Sequence, residues 1–162
     1  MALQPDAADR IRGVGLPILA NEGTGEHFHA HLDMYVDGKA VSVPAGIGFA
    51  DVNQGQSGGR SPVHTHDASG IIHVEADTPG ERFTLAQFLR EWGVLAGNAT
   101  IGGHPAGEWS VFVNGTRSQG PPDTVVLHPK EEIALVQGTA PYPSRPHTPS
   151  LRTSTRPCPE QH

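Results

Sequence analysis

Cysteine is nearly absent from this chain: Cys158 is the only one in 162 residues, so neither an intrachain disulfide nor a cysteine-based zinc site can form. Long apolar runs are missing as well, since no stretch approaches the ~18 consecutive apolar residues of a membrane-spanning helix. The N-terminal sequence MALQPDAADRIRGVG has no apolar signal region. We therefore expect a cytoplasmic protein, or an exported one from which a leader has been removed.

Charge is also sparse, because Asp, Glu, Lys and Arg make up 17% of the residues and the formal net charge is −6. This balance offers no basic surface for nucleic acid. Glycine and proline, in contrast, number 20 and 15 and favour a fold of strands and loops. We predict a lead-in over residues 1–25, a single domain over 26–138, and a disordered tail rich in Pro, Ser, Thr and Arg over 139–162.

Alternation of apolar and polar residues predicts strands, and the pair Asp37-Gly38 predicts a tight turn between the first two. The predicted strands cover residues 29–36, 39–43, 70–76, 109–113, 124–127 and 133–136. An amphipathic helix is predicted over Leu85–Trp92, where Thr84 supplies the N-cap and Gly93 ends the helix. A shorter helix is expected around 6–12, and the polar stretch 51–61 is expected to be a flexible loop.

The order of these segments indicates an α+β fold in which one helix covers a small mixed sheet. The segments YVDGKAVSVPAG, FTLAQFLREWGV, WSVFVNG and LHPKEEIALVQG resemble the β-grasp (ubiquitin-like) family, particularly its small sulfur carriers. The resemblance implies a β-grasp-like sheet with a histidine-bearing loop inserted after the first hairpin. The C-terminal Gly-Gly of the sulfur carriers has no counterpart here, so the resemblance implies the fold and not the thiocarboxylate chemistry.

Histidine is the residue type that points to chemistry, because six of the ten histidines fall in three short clusters. The clusters are EHFHAHLDMYV, SPVHTHDASG and GIIHVEA, which contain His27, His29, His31, His64, His66 and His73. Side chains two residues apart on a strand project from the same face, so each cluster presents its imidazoles together. Strand parity also places His29, His31 and His73 on the sheet face opposite the helix. The alternative interpretation is an inert, histidine-rich surface.

Residues i and i+2 of a strand lie ~6.5–7 Å apart, a span that two imidazoles can close around one ion. We therefore expect one or two histidines of HFHAH to combine with His64 and His66, while His73 supplies another ligand or belongs to a second ion. Two nearby carboxylates each have two interpretations. Asp67 is either an acceptor for a ligand N–H or the first residue of an Asx turn, and Glu75 is either a general base or a solvated strand residue.

The combined pattern HFHAHLDMYVDGK, HTHDASGIIHVE and FTLAQF also resembles a family of uncharacterised bacterial and archaeal proteins. This resemblance implies that the six histidines belong together, without implying an activity. The HTH pair is similar to the first motif of cupins, in which a glutamate follows three or four residues later. Ser69, Gly70 and Ile71 occupy that region here, so the cupin carboxylate is missing.

An all-imidazole shell suits Cu(II), Zn(II) or Ni(II), and the usual affinity order favours copper. The leading hypothesis is a protein that binds a divalent transition metal, copper first and zinc second. A second hypothesis is a mononuclear metalloenzyme, either a metal-dependent oxidoreductase or a zinc hydrolase, with an open coordination position for water, dioxygen or a small-molecule substrate. A third is an interaction module with a structural ion.

Overall fold

The computed structural model describes residues 1–51, 58–97 and 99–138, without the side chain of Asp123. The predicted disordered tail and residues 52–57 of the predicted flexible loop lie outside the described residues. The helices are α1 (Ala7–Gly13) and α2 (Leu85–Trp92), with 3-10 turns at Ala106–Glu108 and Pro122–Thr124. The strands are β1 (Glu26–Val36), β2 (Lys39–Val41), β3 (Val63–His64), β4 (Ile71–Ala76), β5 (Leu95–Ala96), β6 (Thr100–Ile101), β7 (His104–Pro105), β8 (Trp109–Val113), β9 (Thr116–Arg117) and β10 (Glu132–Gln137).

Seven of the described strands form one mixed sheet in the order β3-β4-β1-β10-β8-β9, with β2 also paired to β1. The long strand β1 organises it. One edge of β1 pairs antiparallel with β4 in its first half and with β2 in its second, and the other edge pairs in parallel with β10. Strands β5, β6 and β7 form a separate small sheet. The predicted α+β class is confirmed, whereas the β-grasp likeness stays a prediction.

Helix α2 covers one face of the main sheet. Thr84 Oγ1 accepts from Gln87 N at 3.2 Å, Gln87 Oε1 accepts from Thr84 N at 2.9 Å, and Gly93 ends the helix with a left-handed φ of 84°. The core joins apolar residues of α2 to those of β1, β4 and β10: Leu85, Phe88, Leu89, Trp92, Leu32, Met34, Ile72, Val74, Ile133 and Leu135. Because strand residues alternate, the histidines lie on the opposite face of the sheet.

A packed loop departs from the expectations, whereas the short helix expected around 6–12 is present as α1 (Ala7–Gly13). Ile11 of α1 is fully buried and belongs to the same core as α2. Arg60 and Ser61, expected in a flexible loop, are 5% and 0% exposed. Within the described part of the chain, neither α-helix is long and apolar enough to cross a membrane.

The strand predicted at 124–127 is wrong, because a 3-10 turn occupies Pro122–Thr124 and the following residues bond to the segment before α2. Leu127 N donates to Phe83 O and Leu85 N donates to Val125 O. This pairing cannot extend into a ladder, since its partner turns into a helix at Leu85. The second strand also ends at Val41, two residues earlier than predicted.

Candidate metal centre

Five of the six predicted histidines meet on the sheet face turned away from α2. The register of β3 with β4 and of β4 with β1 sets His64, His73 and His29 side by side across three strands. Side chains paired in this way have Cβ atoms about 4.5–5.5 Å apart, so their rings come into contact. The centroid of the His73 ring lies 4.5 Å from that of His29 and 4.4 Å from that of His66. We call His27, His29, His64, His66, His73 and Glu75 the histidine cluster.

Two groups within the histidine cluster bring one ligand atom from each member to within 4.8 Å of the others. These groups are His27 with His29 and His73, and His64 with His66 and Glu75. The Nε2 atoms of His27 and His29 are 3.3 Å apart, and those of His64 and His66 are 3.2 Å apart. Nitrogen ligands 2.0–2.1 Å from a tetrahedral zinc ion lie about 3.3–3.4 Å from one another. Both groups therefore have the residue types and the spacing to hold a metal ion.

His64 presents a fixed nitrogen to the cluster. Its Nδ1 lies 2.9 Å from the carbonyl oxygen of Ser61, and since a carbonyl can only accept, Nδ1 carries the proton. A neutral His64 then has its lone pair on Nε2, which faces His66 Nε2. Metal-binding histidines are oriented in this way by a hydrogen bond to the other ring nitrogen. The His66 N–H therefore donates to His64 Nε2, and His66 would have to give up that proton to hold a metal ion through the same nitrogen.

Glu75 places an ionised carboxylate among the rings. Its side chain is 4% exposed, with Oε1 3.5 Å from His27 Nε2 and Oε2 3.6 Å from His64 Nε2. Burial raises the pKa of Glu75, but the hydrogen bond from His73 and the electrostatic interactions with His64, His27 and His73 outweigh burial and lower the pKa to about 2. Of the two interpretations given above for Glu75, the solvated strand residue is wrong, because the carboxylate is buried against imidazoles.

Burial also favours the uncharged form of three of these imidazoles, His29, His64 and His66. It is the largest cause that lowers the pKa values of His29, His64 and His66, and the pKa of His64 falls to about 4. Neighbouring histidines lower these pKa values further, while the carboxylate of Glu75 opposes the change. Neutral imidazole is the form that binds a metal, so these three side chains are in the ligand form at pH 7.

His31 and Asp67 bond to the turn between β3 and β4 instead of to the cluster. The Nε2 of His31 donates to the Ser69 carbonyl at 2.9 Å, and its Nδ1 faces Glu132 Oε2 at 3.3 Å. The Oδ1 of Asp67 accepts from Ser69 N at 2.9 Å, which confirms the Asx-turn interpretation. The structure brings His31 into neither metal group, and its assignment as a ligand stays a prediction.

Three residues that the sequence pattern did not single out, Phe49, Arg60 and Glu22, form a chain of contacts beside the HTH segment. Phe49 packs edge-on against His64 and His66, with ring centroids 5.5 and 5.7 Å away. The guanidinium carbon of Arg60 lies over the Phe49 ring, 5.7 Å from the ring centroid. Its charge is paired, because Nη1 is 3.0 Å from Glu22 Oε1. These contacts join segments that are far apart in sequence, so they could not be predicted from the spacing of neighbouring residues.

The remaining described histidines lie apart from the cluster. His104 packs against Trp109 with ring centroids 6.3 Å apart, and His128 lies 3.5 Å from Glu131 within its own turn. A surface groove runs beside β8 and β9, between Trp109 and Arg117, and no histidine lines it. Both observations leave the cluster on β1, β3 and β4 as the candidate site.

No family model, curated protein or solved structure matches this chain. The geometry of the histidine cluster is therefore the basis for assigning a function.

Proposed function

We propose that this protein binds a divalent transition-metal ion, copper in preference to zinc, through the histidine cluster. One observation supports the proposal above all: neighbouring strands bring imidazole nitrogens and one buried carboxylate to ligand spacing. Two surface imidazoles in contact are commonly just hydrogen-bonded. Here five rings lie together, three of them within 3.7 Å of an ionised carboxylate, and the backbone fixes the tautomer of His64. That combination supports a binding site over an inert surface.

The donor set determines which metals fit. Within the described residues the cluster offers imidazole nitrogens and carboxylate oxygens, without thiolate or thioether. Such borderline donors suit Cu(II) and Zn(II), and the affinity order for divalent ions places copper above zinc. The hard ions Ca²⁺ and Mg²⁺ prefer shells made of oxygen, so they should bind poorly.

A metalloenzyme is the second candidate, and the exposure of the cluster favours it. The His27 side chain is 57% exposed, while Glu75 behind it is 4% exposed. An ion held in a cluster that is open to solvent on one side would have room for water or a small molecule at a free coordination position. Azide added to the Cu(II)-loaded protein should change the visible spectrum if the position is open, and should leave it unchanged if protein ligands complete the shell.

The test of binding is metal content. Protein purified without a histidine tag, stripped with chelator and reloaded with Cu(II) or Zn(II), should retain metal after desalting, with a Kd below about 1 μM, equivalent to ~8 kcal/mol. The double variant His64→Ala/His66→Ala should retain clearly less metal than the wild type, because both Nε2 ligands of one group are removed. Elemental analysis and competition with a chelating dye measure both quantities.

The matched control is the double variant His104→Ala/His128→Ala, which removes two histidines outside the cluster and should retain metal as the wild type does. Equal loss in both double variants would indicate non-specific binding. Wild-type protein that binds neither Cu(II) nor Zn(II) at micromolar concentration would overturn the proposal.

A further inference from the structure

Resting on the metal binding proposed above, we infer that the histidine cluster is a dinuclear site in which the carboxylate of Glu75 bridges two ions. The two groups of ligands share one sheet face, and Glu75, a member of the group with His64 and His66, also lies within 3.7 Å of His27 and His73 from the other group. The expected ions are two Cu(II) or two Zn(II) per chain. This goes beyond the binding of a metal, because it predicts the number of ions and a link between them.

The two oxygens of Glu75 face different histidine pairs. Oε1 lies 3.5 Å from His27 Nε2 and 3.7 Å from His73 Nδ1. Oε2 lies 3.6 Å from His64 Nε2, on the side of the HTH pair. Each of these distances is close to the separation of two ligands on one tetrahedral ion, about 3.3–3.5 Å. One carboxylate therefore meets both groups with separate oxygens, as a bridging ligand does.

Burial argues for the same role. Within the described residues Glu75 Oε2 is buried and has no hydrogen-bond partner, and a buried carboxylate oxygen without a partner is costly. An ion at the HTH pair would satisfy it. Ions in two-metal sites lie about 3.5–4 Å apart, so a shared negative charge also reduces the repulsion between them.

The ligand count supports two ions better than one. Six side chains converge on the site, whereas a single tetrahedral ion takes four ligands. If the ligands are divided between the two oxygens of Glu75, the first ion receives His27, His29, His73 and Oε1. The second ion receives His64, His66 and Oε2. The second ion then has three protein ligands, which leaves one position for water.

Stoichiometry and magnetic coupling test this inference. Full-length, metal-stripped protein is titrated with Cu(II), desalted and analysed for copper per chain, and the same samples are examined by EPR. The wild type should hold two Cu(II) per chain, with an EPR intensity well below that of two isolated ions because the bridged pair is coupled. Removing one group, in His27→Ala/His29→Ala or in His64→Ala/His66→Ala, should leave one copper with an ordinary uncoupled signal.

Glu75→Gln tests the bridge itself, since an amide has one ligating oxygen in place of two. It should abolish the coupling and weaken the second copper by at least tenfold, while circular dichroism checks that the variant is folded. One Cu(II) per wild-type chain would overturn the dinuclear inference and leave metal binding intact. Two uncoupled ions that Glu75→Gln does not change would overturn the bridge. Wild type without any bound copper or zinc would overturn the proposed function as well.

Discussion

At the scale of single residues, Ser61 connects the histidine cluster to the helix on the other side of the sheet. Its carbonyl accepts from His64 Nδ1 at 2.9 Å, and its Oγ accepts from Val63 N at 3.1 Å. The same hydroxyl donates to Glu91 Oε1 at 2.6 Å, and Glu91 is a buried residue of α2. The position of a candidate ligand thus depends on a carboxyl group in the core.

Glu91 should make stability fall as the pH rises from about 4.5 to about 8. Burial raises its pKa from 4.5 to about 8, although the hydrogen bond from Ser61 opposes the change. Between these values the folded state keeps a proton that the unfolded state releases, so the free energy of unfolding decreases with pH. His64 acts in the opposite direction, but only below 6.5, because its pKa is lowered from 6.5 to about 4.

The window from pH 6.5 to 8 therefore isolates Glu91 from His64. Urea unfolding of the metal-free protein should show decreasing stability across that window in the wild type and a nearly flat profile in Glu91→Gln. The exposed residue Glu81 provides a control, and Glu81→Gln should keep the wild-type slope. A slope that survives in Glu91→Gln would show that another group causes it.

At the scale of elements, the short loop that contains Gly48 supports the edge strand β3. Gly48 has a φ of +81°, and a Cβ there would meet the Val63 carbonyl oxygen and lie 2.9 Å from His64 Cβ. Its carbonyl accepts from Ser61 N at 2.7 Å, and Thr65 N donates to Ile47 O at 3.1 Å. The backbone of this loop therefore lies directly against the strand that carries His64.

Gly48→Ala should destabilise the protein by roughly 1–3 kcal/mol through backbone strain at the positive φ. The contact with β3 should add a further cost, because β3 must move to make room for the new Cβ. The matched control is Gly80→Ala, where φ is +76° and a Cβ meets nothing within 4 Å. This control introduces the same backbone strain at a positive φ but no steric contact of the added Cβ. The free energy of unfolding, measured by chemical denaturation, and the metal content should both be lower in Gly48→Ala than in Gly80→Ala. Equal values would show that the close approach has no effect on His64.

Elements governed by local signals were predictable from the sequence. Helix α2 begins after Thr84 and ends before Gly93 as predicted, because the cap, the stop and the apolar stripe are all local. Strand parity likewise placed His29 and His73 on one face. The burial of Arg60 and Glu75 was not predictable, because it depends on Phe49, Glu22 and His27, which come from other segments of the chain.

At the scale of the whole molecule, the histidine cluster joins strands that are distant in sequence. His27 and His29 lie on β1, whereas His64 and His73 lie on β3 and β4. An ion that takes ligands from these strands cross-links the sheet. The unfolded chain has no such arrangement of ligands, so binding free energy becomes folding free energy.

Metal should therefore raise the melting temperature of the stripped protein. At a free concentration 100 times its Kd, an ion that binds only the folded state adds ~2.7 kcal/mol, which corresponds to roughly 5–11 °C for a chain of this size. Differential scanning fluorimetry with Zn(II) measures the change, Mg²⁺ is the control ion, and His64→Ala/His66→Ala should show a smaller rise. If zinc is retained but the melting temperature does not change, the ion is bound equally well by the unfolded chain. The HFHAH segment alone would then explain its affinity, and the folded cluster would contribute nothing.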